Sequence, residues 1–363
     1  MFITLKKYIN PTEQYDFDTL FNNNTTIATN YIKQYTIEID TPAKTPNHIN
    51  FCKAQLELLL HTYPAIATLT PEEVDAEYRT IRIPKKQKGK YRTLNIPSDN
   101  LKNMQYSIVN TLQSFGTLAH NSAFAYVKHR SIYNALEEHQ QNDSKWFLKI
   151  DLKDFFGSCT KTFIYKQLKQ IYPYSLLTQD EGCDKIIKDI IKMACYKNKL
   201  PQGNPISPYL TNMIMVPIDY KLNQLLPVYT RYSDDMLFSA RTKIDLNKTI
   251  HNIELILKET PLKINSEKTR LGSINGNNWN LGLMLNKDNN ITLGHEKKRK
   301  FKATIDQFLY NPKNYTLAQK QKLAGLISYY TNIEPAYISY VINKYNKKHN
   351  SNLLELLHKP FLS

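Results

Sequence analysis

Two adjacent carboxylates interrupt an otherwise apolar stretch, VYTRYSDDMLFSA (228–240), and that interruption constrains the fold more than any other feature of the chain. The flanking runs read as two short strands meeting at a polar tip, with Asp234 and Asp235 where a tight turn is expected. Neighbouring carboxylates repel, and one is pushed toward protonation unless a cation lies between them. Asp151 ends a second strand-like run, KWFLKIDL (145–152), 83 residues before Asp234. A strand-end carboxylate facing a hairpin-tip pair makes an oxygen-rich site for hard divalent ions such as Mg²⁺. Taken alone, an Asp-Asp pair is more often a solvated turn, so its company decides.

Charge supplies the first part of that company. The chain of 363 residues carries 48 Lys and Arg against 32 Asp and Glu, a net charge of +16. An excess of that size seeks a polyanion, nucleic acid before an anionic membrane surface. With 41% hydrophobic residues the chain has material for a sizeable core, which excludes wholesale disorder. The four cysteines (Cys52, Cys159, Cys183, Cys195) have neither zinc-knuckle spacing nor the density of a disulfide framework, and they read as buried thiols. No signal-peptide run follows MFITLKKYIN and no 18 apolar residues run together, so the expected location is the cytoplasm, with no membrane partner.

The remaining segments order themselves around the carboxylates. Residues 1–75 are expected to form a partly helical extension, rich in Asn and Thr, with a helix over 50–63 that stops near Pro64. TIRIP and YRTLNIP flank KKQKGK as a hairpin with a basic tip, followed by a helix over 98–115. TFIYKQLKQIY reads as a helix, and a Cys/Lys-rich helix after it is expected to end at Leu200-Pro201. Leu246, Ile250, Ile253 and Leu257 step by 4, 3 and 4, an amphipathic helix. NLGLMLNKDNNITLGH is a second hairpin turning at KDNN, and from Glu296 onward the pattern is helical, opening on EKKRKFK.

FLKIDLKDFF (147–156), LPQGNPISPYLTN (200–212) and RYSDDMLFSA (231–240), in this order, resemble the palm motifs of reverse transcriptases. KGKYRTLNIP resembles the fingers motif of that family, and LKINSEKTR followed by NLGL the motifs after the aspartate hairpin. LAGLISYYTNIEP (323–335) is similar to bacterial thumb sequence, so the likeness spans roughly residues 78 to 335. It implies an α+β right-hand polymerase: fingers, a palm with a small antiparallel sheet, and a helical thumb. The expected organisation is an extension over 1–75, fingers and palm over 76–290, and a thumb with its tail over 291–363.

The resemblance also assigns roles. Asp151 and Asp234 are the expected ligands of two Mg²⁺ ions, with Mn²⁺ as a substitute. The Leu152 carbonyl adds an oxygen, and Asp235 is a peripheral ligand or electrostatic partner. Phe156 is the expected steric block to a nucleotide 2′-hydroxyl; its alternative is a core phenylalanine. Lys90 and Arg92 would cradle the triphosphate, or else belong to a solvated hairpin. Gln202 and Gly203 would pack beneath the incoming base. Lys268 would donate a proton to pyrophosphate, or sit as a surface lysine. Tyr232 would touch the primer end or simply pack, and Lys297, Lys298, Arg299, Lys300 and Lys302 would follow a duplex backbone.

The implied reaction is RNA-directed DNA synthesis from dNTPs on a structured noncoding RNA template, yielding a DNA product. A partner protein or a homo-oligomer is left open. Residues 336–363 leave no room for RNase H, integrase or maturase domains, so a compact bacterial enzyme is expected. A defence-associated enzyme comes first and a retron enzyme making RNA-linked single-stranded DNA second. HRSIYNALEEH (129–139) resembles a retron region but with one residue more between Ala135 and His139, and the thumb segment holds no Val-Thr-Gly. An untemplated or protein-primed polymerase on the same fold, and a catalytically idle RNA-binding scaffold, are the other readings. Against the scaffold stand the three aspartates, whose clustered charge opposes nucleic-acid binding unless metals neutralise it.

Overall fold

The computed structural model describes residues 46–84, 89, 91–116, 119–274 and 282–358. The first 45 residues of the extension expected over 1–75 and the tip residues Lys85, Lys86, Lys88 and Lys90 lie outside them. The chain divides into two compact units, each assembled from separated stretches: 1–120, 154–220 and 257–262 in the first, and 121–153, 221–256 and 263–363 in the second. Among the described residues no helix is long and apolar enough to cross a membrane.

Among its described residues the first unit is helical, with one two-stranded sheet. Strands β1 (Tyr78–Pro84) and β2 (Tyr91–Pro97) pair antiparallel from Tyr78↔Pro97 to Pro84↔Tyr91. The helix Glu181–Ala194 buries Cys183, Ile186, Ile187, Ile190, Ile191 and Ala194, a stripe at steps of 3, 1, 3, 1 and 3. Asp180 caps it by accepting the Cys183 N–H, and the helix packs on Pro46–Thr62 and Asp99–Ser114. It stops at Ala194 rather than at Leu200, a correction to the sequence expectation. The reason is local: Lys197 and Asn198 both take positive φ (47° and 66°), and Tyr196 and Lys199 close a reverse turn by exchanging backbone hydrogen bonds. At the other end of the unit's sequence, the helix expected from residue 50 begins at Pro46.

The second unit is built on a four-stranded antiparallel sheet in the order β4 (Val228–Tyr232), β5 (Asp235–Ala240), β3 (Trp146–Asp151), β6 (Arg270–Ser273). Phe147, Leu148 and Ile150 of β3 and Met236, Leu237 and Phe238 of β5 are buried, so these strands read as continuous apolar runs rather than alternating ones. Beyond them come the hairpin β7 (Leu283–Leu285) and β8 (Ile291–Leu293), then helices His295–Tyr310, Leu317–Thr331, Pro335–His349 and Leu353–His358. A single core joins these parts, with Phe147 and Leu237 from the sheet meeting Leu283, Phe301, Ile305, Phe308, Ile327 and Val341. Each such fully buried side chain contributes about 1.5–3 kcal/mol.

One buried polar cluster fixes the register of the sheet. His139, on the helix Ile132–Gln141, is fully buried and bonds Ser239 of β5 through Nδ1 (2.6 Å) and Thr230 of β4 through Nε2 (2.8 Å). Ser144 Oγ completes it at 2.7 Å from Ser239 Oγ. Burial pushes the His139 imidazole down to about 3, so it is neutral at ordinary pH.

Candidate functional site

β4 and β5 close on the pair Tyr232↔Asp235, leaving Ser233 and Asp234 as a two-residue loop. Ser233 takes φ 62°, the left-handed conformation that lets so short a loop match the twist of its strands. On the far side of β5, Asp235 lies directly opposite Asp151 of β3. The amide of Leu152 donates to the Asp234 carbonyl at 3.2 Å, so the tip is tied to the end of β3. Antiparallel register and a period of two thus bring Asp151, Asp234 and Asp235 to one end of the sheet.

Like charges facing across a strand pair are destabilising, and each of these two is offset by a lysine. Lys149, two residues before Asp151 and so on the same face of β3, approaches Asp235 Oδ1 at 3.1 Å. Lys268 donates to both carboxylate oxygens of Asp151, at 2.8 and 3.0 Å, and Asn265 Nδ2 adds a bond at 3.0 Å. The segment carrying both residues is laid beside Asp151 by two backbone bonds, Lys153 N–H to Lys263 and Asn265 N–H to Asp151, each 2.8 Å. The Asp151 carboxylate raises the Lys268 ammonium above its ordinary value, which keeps it protonated. Asp234 is different. Burial raises its carboxyl above the usual range, the charges of Asp235 and Asp151 add to that, and Lys268 offsets the rise only in part.

These donors suit a hard divalent cation. All are carboxylate oxygens, and the Asp234 carboxyl is raised first by burial and then by the charges of Asp235 and Asp151, which a bound cation would offset. Among the described residues no three acidic, imidazole or thiol side chains stand in position to hold an ion together. The Lys268 ammonium spans the Asp151 oxygens that an ion would use.

The sequence-derived candidates divide between the units. Asp151, Leu152, Asp234, Asp235, Lys268 and Tyr232 belong to the second and gather at the sheet end. Arg92, Phe156, Gln202 and Gly203 belong to the first. There, Asn95 of β2 donates its N–H to the Gln202 carbonyl at 2.8 Å, and Gly203 (φ 118°) sits where a Cβ would come within 3.0 Å of the Asn95 carbonyl oxygen. Buried Asn204 donates to the Ala194 carbonyl (2.9 Å) and accepts the Ser207 N–H (2.8 Å), holding the loop from within. Of the two adjacent phenylalanines, Phe155 is in the core and Phe156 is half-buried, edge-to-face with it at 5.6 Å. Arg92 is exposed on β2 opposite Ile83.

The basic helix His295–Tyr310 is less uniform than its sequence. Lys298 is committed inside the unit, bonding Glu334 at 2.7 Å and lying 4.4 Å over the Tyr337 ring. Lys300 pairs with Glu296 one turn away, and Lys297 lies beside Gly282. Arg299 and Lys302 are exposed.

Three residues at the sheet end escaped sequence reasoning: Lys149, Asn265 and Arg231. Lys149 had a signal, since its spacing from Asp151 puts both on one face. Arg231 had none: an arginine in a strand looks exposed, yet this one is fully buried and donates from Nη1 to the Ser233 carbonyl at 3.2 Å.

Comparison with known proteins adds an independent line. The family described as reverse transcriptase (RNA-dependent DNA polymerase) matches residues 83–305. The retron Ec83 reverse transcriptase of Escherichia coli is 28% identical over 305 residues, covering 80% of this chain and 93% of that protein. The retron Ec73 enzyme of the same organism is 32% identical over 72% of this chain and 84% of its own length. Among solved structures, apo telomerase from Candida tropicalis aligns over 84% of this chain and 66% of that one at 14% identity, with a TM-score of 0.47.

Proposed function

The chain belongs to the reverse transcriptase family as a retron-like RNA-directed DNA polymerase, and from that premise we propose that its sheet end is the polymerising site, copying a structured noncoding RNA into DNA. The observation that carries the reading is the register Asp151↔Asp235 with Asp234 at the adjoining tip. In this proposal Asp151 and Asp234, with the Leu152 carbonyl, would hold two Mg²⁺ ions. When bound, such ions lower the pKa of a 3′-hydroxyl and neutralise charge on a departing pyrophosphate.

The rest of the reaction falls to the chain. The primer 3′-oxygen attacks the α-phosphorus of a dNTP, its proton passing to solvent water, and the bond from that phosphorus to the oxygen of the β-phosphate breaks as pyrophosphate leaves. Lys268, held protonated beside Asp151, gives a proton to the leaving pyrophosphate. Asp235, already paired with Lys149, acts as an electrostatic partner rather than a full ligand. Lys90 and Arg92 hold the triphosphate, Gln202 and Gly203 support the incoming base, and Phe156 excludes a 2′-hydroxyl. Tyr232 meets the primer end, while Arg299 and Lys302 carry more of the duplex contact than the committed Lys298. The proposed parts are fingers and palm over 76–290 and a thumb from 291. A-form RNA is held by shape and backbone contacts, which suits the chain's net charge of +16. A role in antiphage defence belongs to the same proposal and rests on family alone.

The test is incorporation of labelled dNTPs on a primed RNA template with Mg²⁺, together with sequencing of nucleic acid that copurifies with the protein. Wild type should yield DNA complementary to a defined RNA, and Asp234→Asn should not. Equal incorporation by the two proteins would overturn the site assignment.

A further inference from the structure

The segment just before the helix Ile132–Gln141 runs along the outer side of β4. Ser122 accepts the Arg231 N–H at 2.6 Å, the Phe124 N–H donates to the Arg231 carbonyl at 2.8 Å, and Ala123 bridges Arg231 in parallel. Arg130 folds back over this segment, donating to the Asn121 and Ala123 carbonyls at 3.0 and 2.8 Å with its guanidinium 5.6 Å over the Phe124 ring. Residues 122–125 are buried and so form a fixed rail.

Tyr126 leaves that rail in a left-handed conformation, φ 61°, with 54% of its surface exposed. A bulky residue there is strained by roughly 1–2 kcal/mol, and so exposed a ring recovers little of it by burial. What the conformation does achieve is a hydrogen bond: the Tyr126 phenol donates to Ser233 Oγ at 3.3 Å. Ser233 is itself left-handed, is held from beneath by Arg231 through its carbonyl, and immediately precedes Asp234. Two strained non-glycine residues therefore meet through one pair of hydroxyls at the tip of the aspartate hairpin.

We propose that Tyr126 is a positioning residue for polymerisation, its phenol fixing the Ser233 hydroxyl and thereby the direction in which Asp234 presents its carboxylate. The inference rests on the reading of Asp234 as part of the polymerising site. It requires both hydroxyls: losing either one breaks the same link.

The experiment is a double-mutant cycle of Tyr126→Phe and Ser233→Ala, each of which removes one oxygen, read by steady-state dNTP incorporation and by amide hydrogen exchange over 229–237. Each single variant should lower kcat roughly fivefold at unchanged dNTP KM, and the double variant should fall no further. Exchange over 229–237 should quicken to the same extent in all three, with the melting temperature of wild type retained. Multiplicative losses in the double variant, a change in KM instead of kcat, or unchanged exchange would each overturn the proposal. Exchange needs no turnover, so it decides the link even if wild type incorporates nothing, a result that would sink the polymerase reading instead.

Discussion

β1–β2 and β4–β5 are both antiparallel hairpins, and the chain treats them in opposite ways. The first has seven residues in each strand, and Ile81, Ile83 and Tyr91 stand 37%, 43% and 60% exposed. Residues 85–90 separate its strands. The second has five and six residues, a two-residue tip, and an interior so closed that it contains an arginine with no exposed surface. Its tip is pinned through Leu152, Arg231 and Tyr126. Under the proposed function, atoms that must meet in a fixed geometry would thus sit on buried, multiply bonded backbone, and groups that reach for a polyanion would sit on an open ladder. Substitutions within the strands of the buried hairpin should therefore change rate and stability together, loss of its tip hydroxyl should change rate alone, and substitutions in the open hairpin should change binding alone.

The largest effect is expected at the junction of β3 and β5. Asp151→Asn should lower kcat by about 10³-fold or more, since several kcal/mol of charge stabilisation is lost at about 1.4 kcal/mol per tenfold. Single-turnover incorporation checks it. Arg231→Leu comes next and tests the brace beneath the tip. Removing a buried guanidinium leaves the Ser233 carbonyl without its donor, and unfolding by urea should report a loss of about 1–3 kcal/mol.

His139 sharpens the comparison through pH. Its imidazole titrates near 3 in the folded chain, against an ordinary value of 6.5 when the chain is unfolded, so between those values the unfolded chain binds the extra proton. Stability therefore falls as pH drops below 6.5, by about 1.4 kcal/mol per unit. From pH 6.5 to 5 the loss should reach about 2 kcal/mol in wild type and vanish in His139→Gln, which keeps an amide for Ser239 and Thr230. Urea midpoints at the two pH values measure it.

The same contrast explains what the sequence made legible. The aspartate hairpin, the strand ending at Asp151 and the β1–β2 hairpin were readable because turn chemistry and apolar runs are local signals, and motif order then named the family. The helix ending at Ala194 was expected to run further because Lys197 is a good helix former, yet it takes a left-handed turn together with Asn198. Asn265 and Arg231 depend on contacts between residues far apart in sequence, which no local pattern carries, while the spacing of Lys149 showed its face but not its partner Asp235. The five cations of EKKRKFK looked equivalent, and only tertiary partners such as Glu334 separate the committed Lys298 from Arg299 and Lys302.

The smallest structural effect is expected at Arg92, on the open hairpin. Its side chain is exposed opposite Ile83, so Arg92→Ala should change stability by no more than about 0.5 kcal/mol. If the open ladder serves binding, the same substitution should raise the dNTP KM roughly tenfold, the worth of a charge-assisted phosphate contact, with kcat nearly unchanged. Arg92→Lys should recover only part of that, because an ammonium cannot make the paired, planar contact of a guanidinium. Raising the salt concentration should narrow the gap between wild type and Arg92→Ala, since the contact is exposed and screened. A fall in kcat at constant KM would instead place Arg92 with the buried hairpin's residues and erase the distinction between the two.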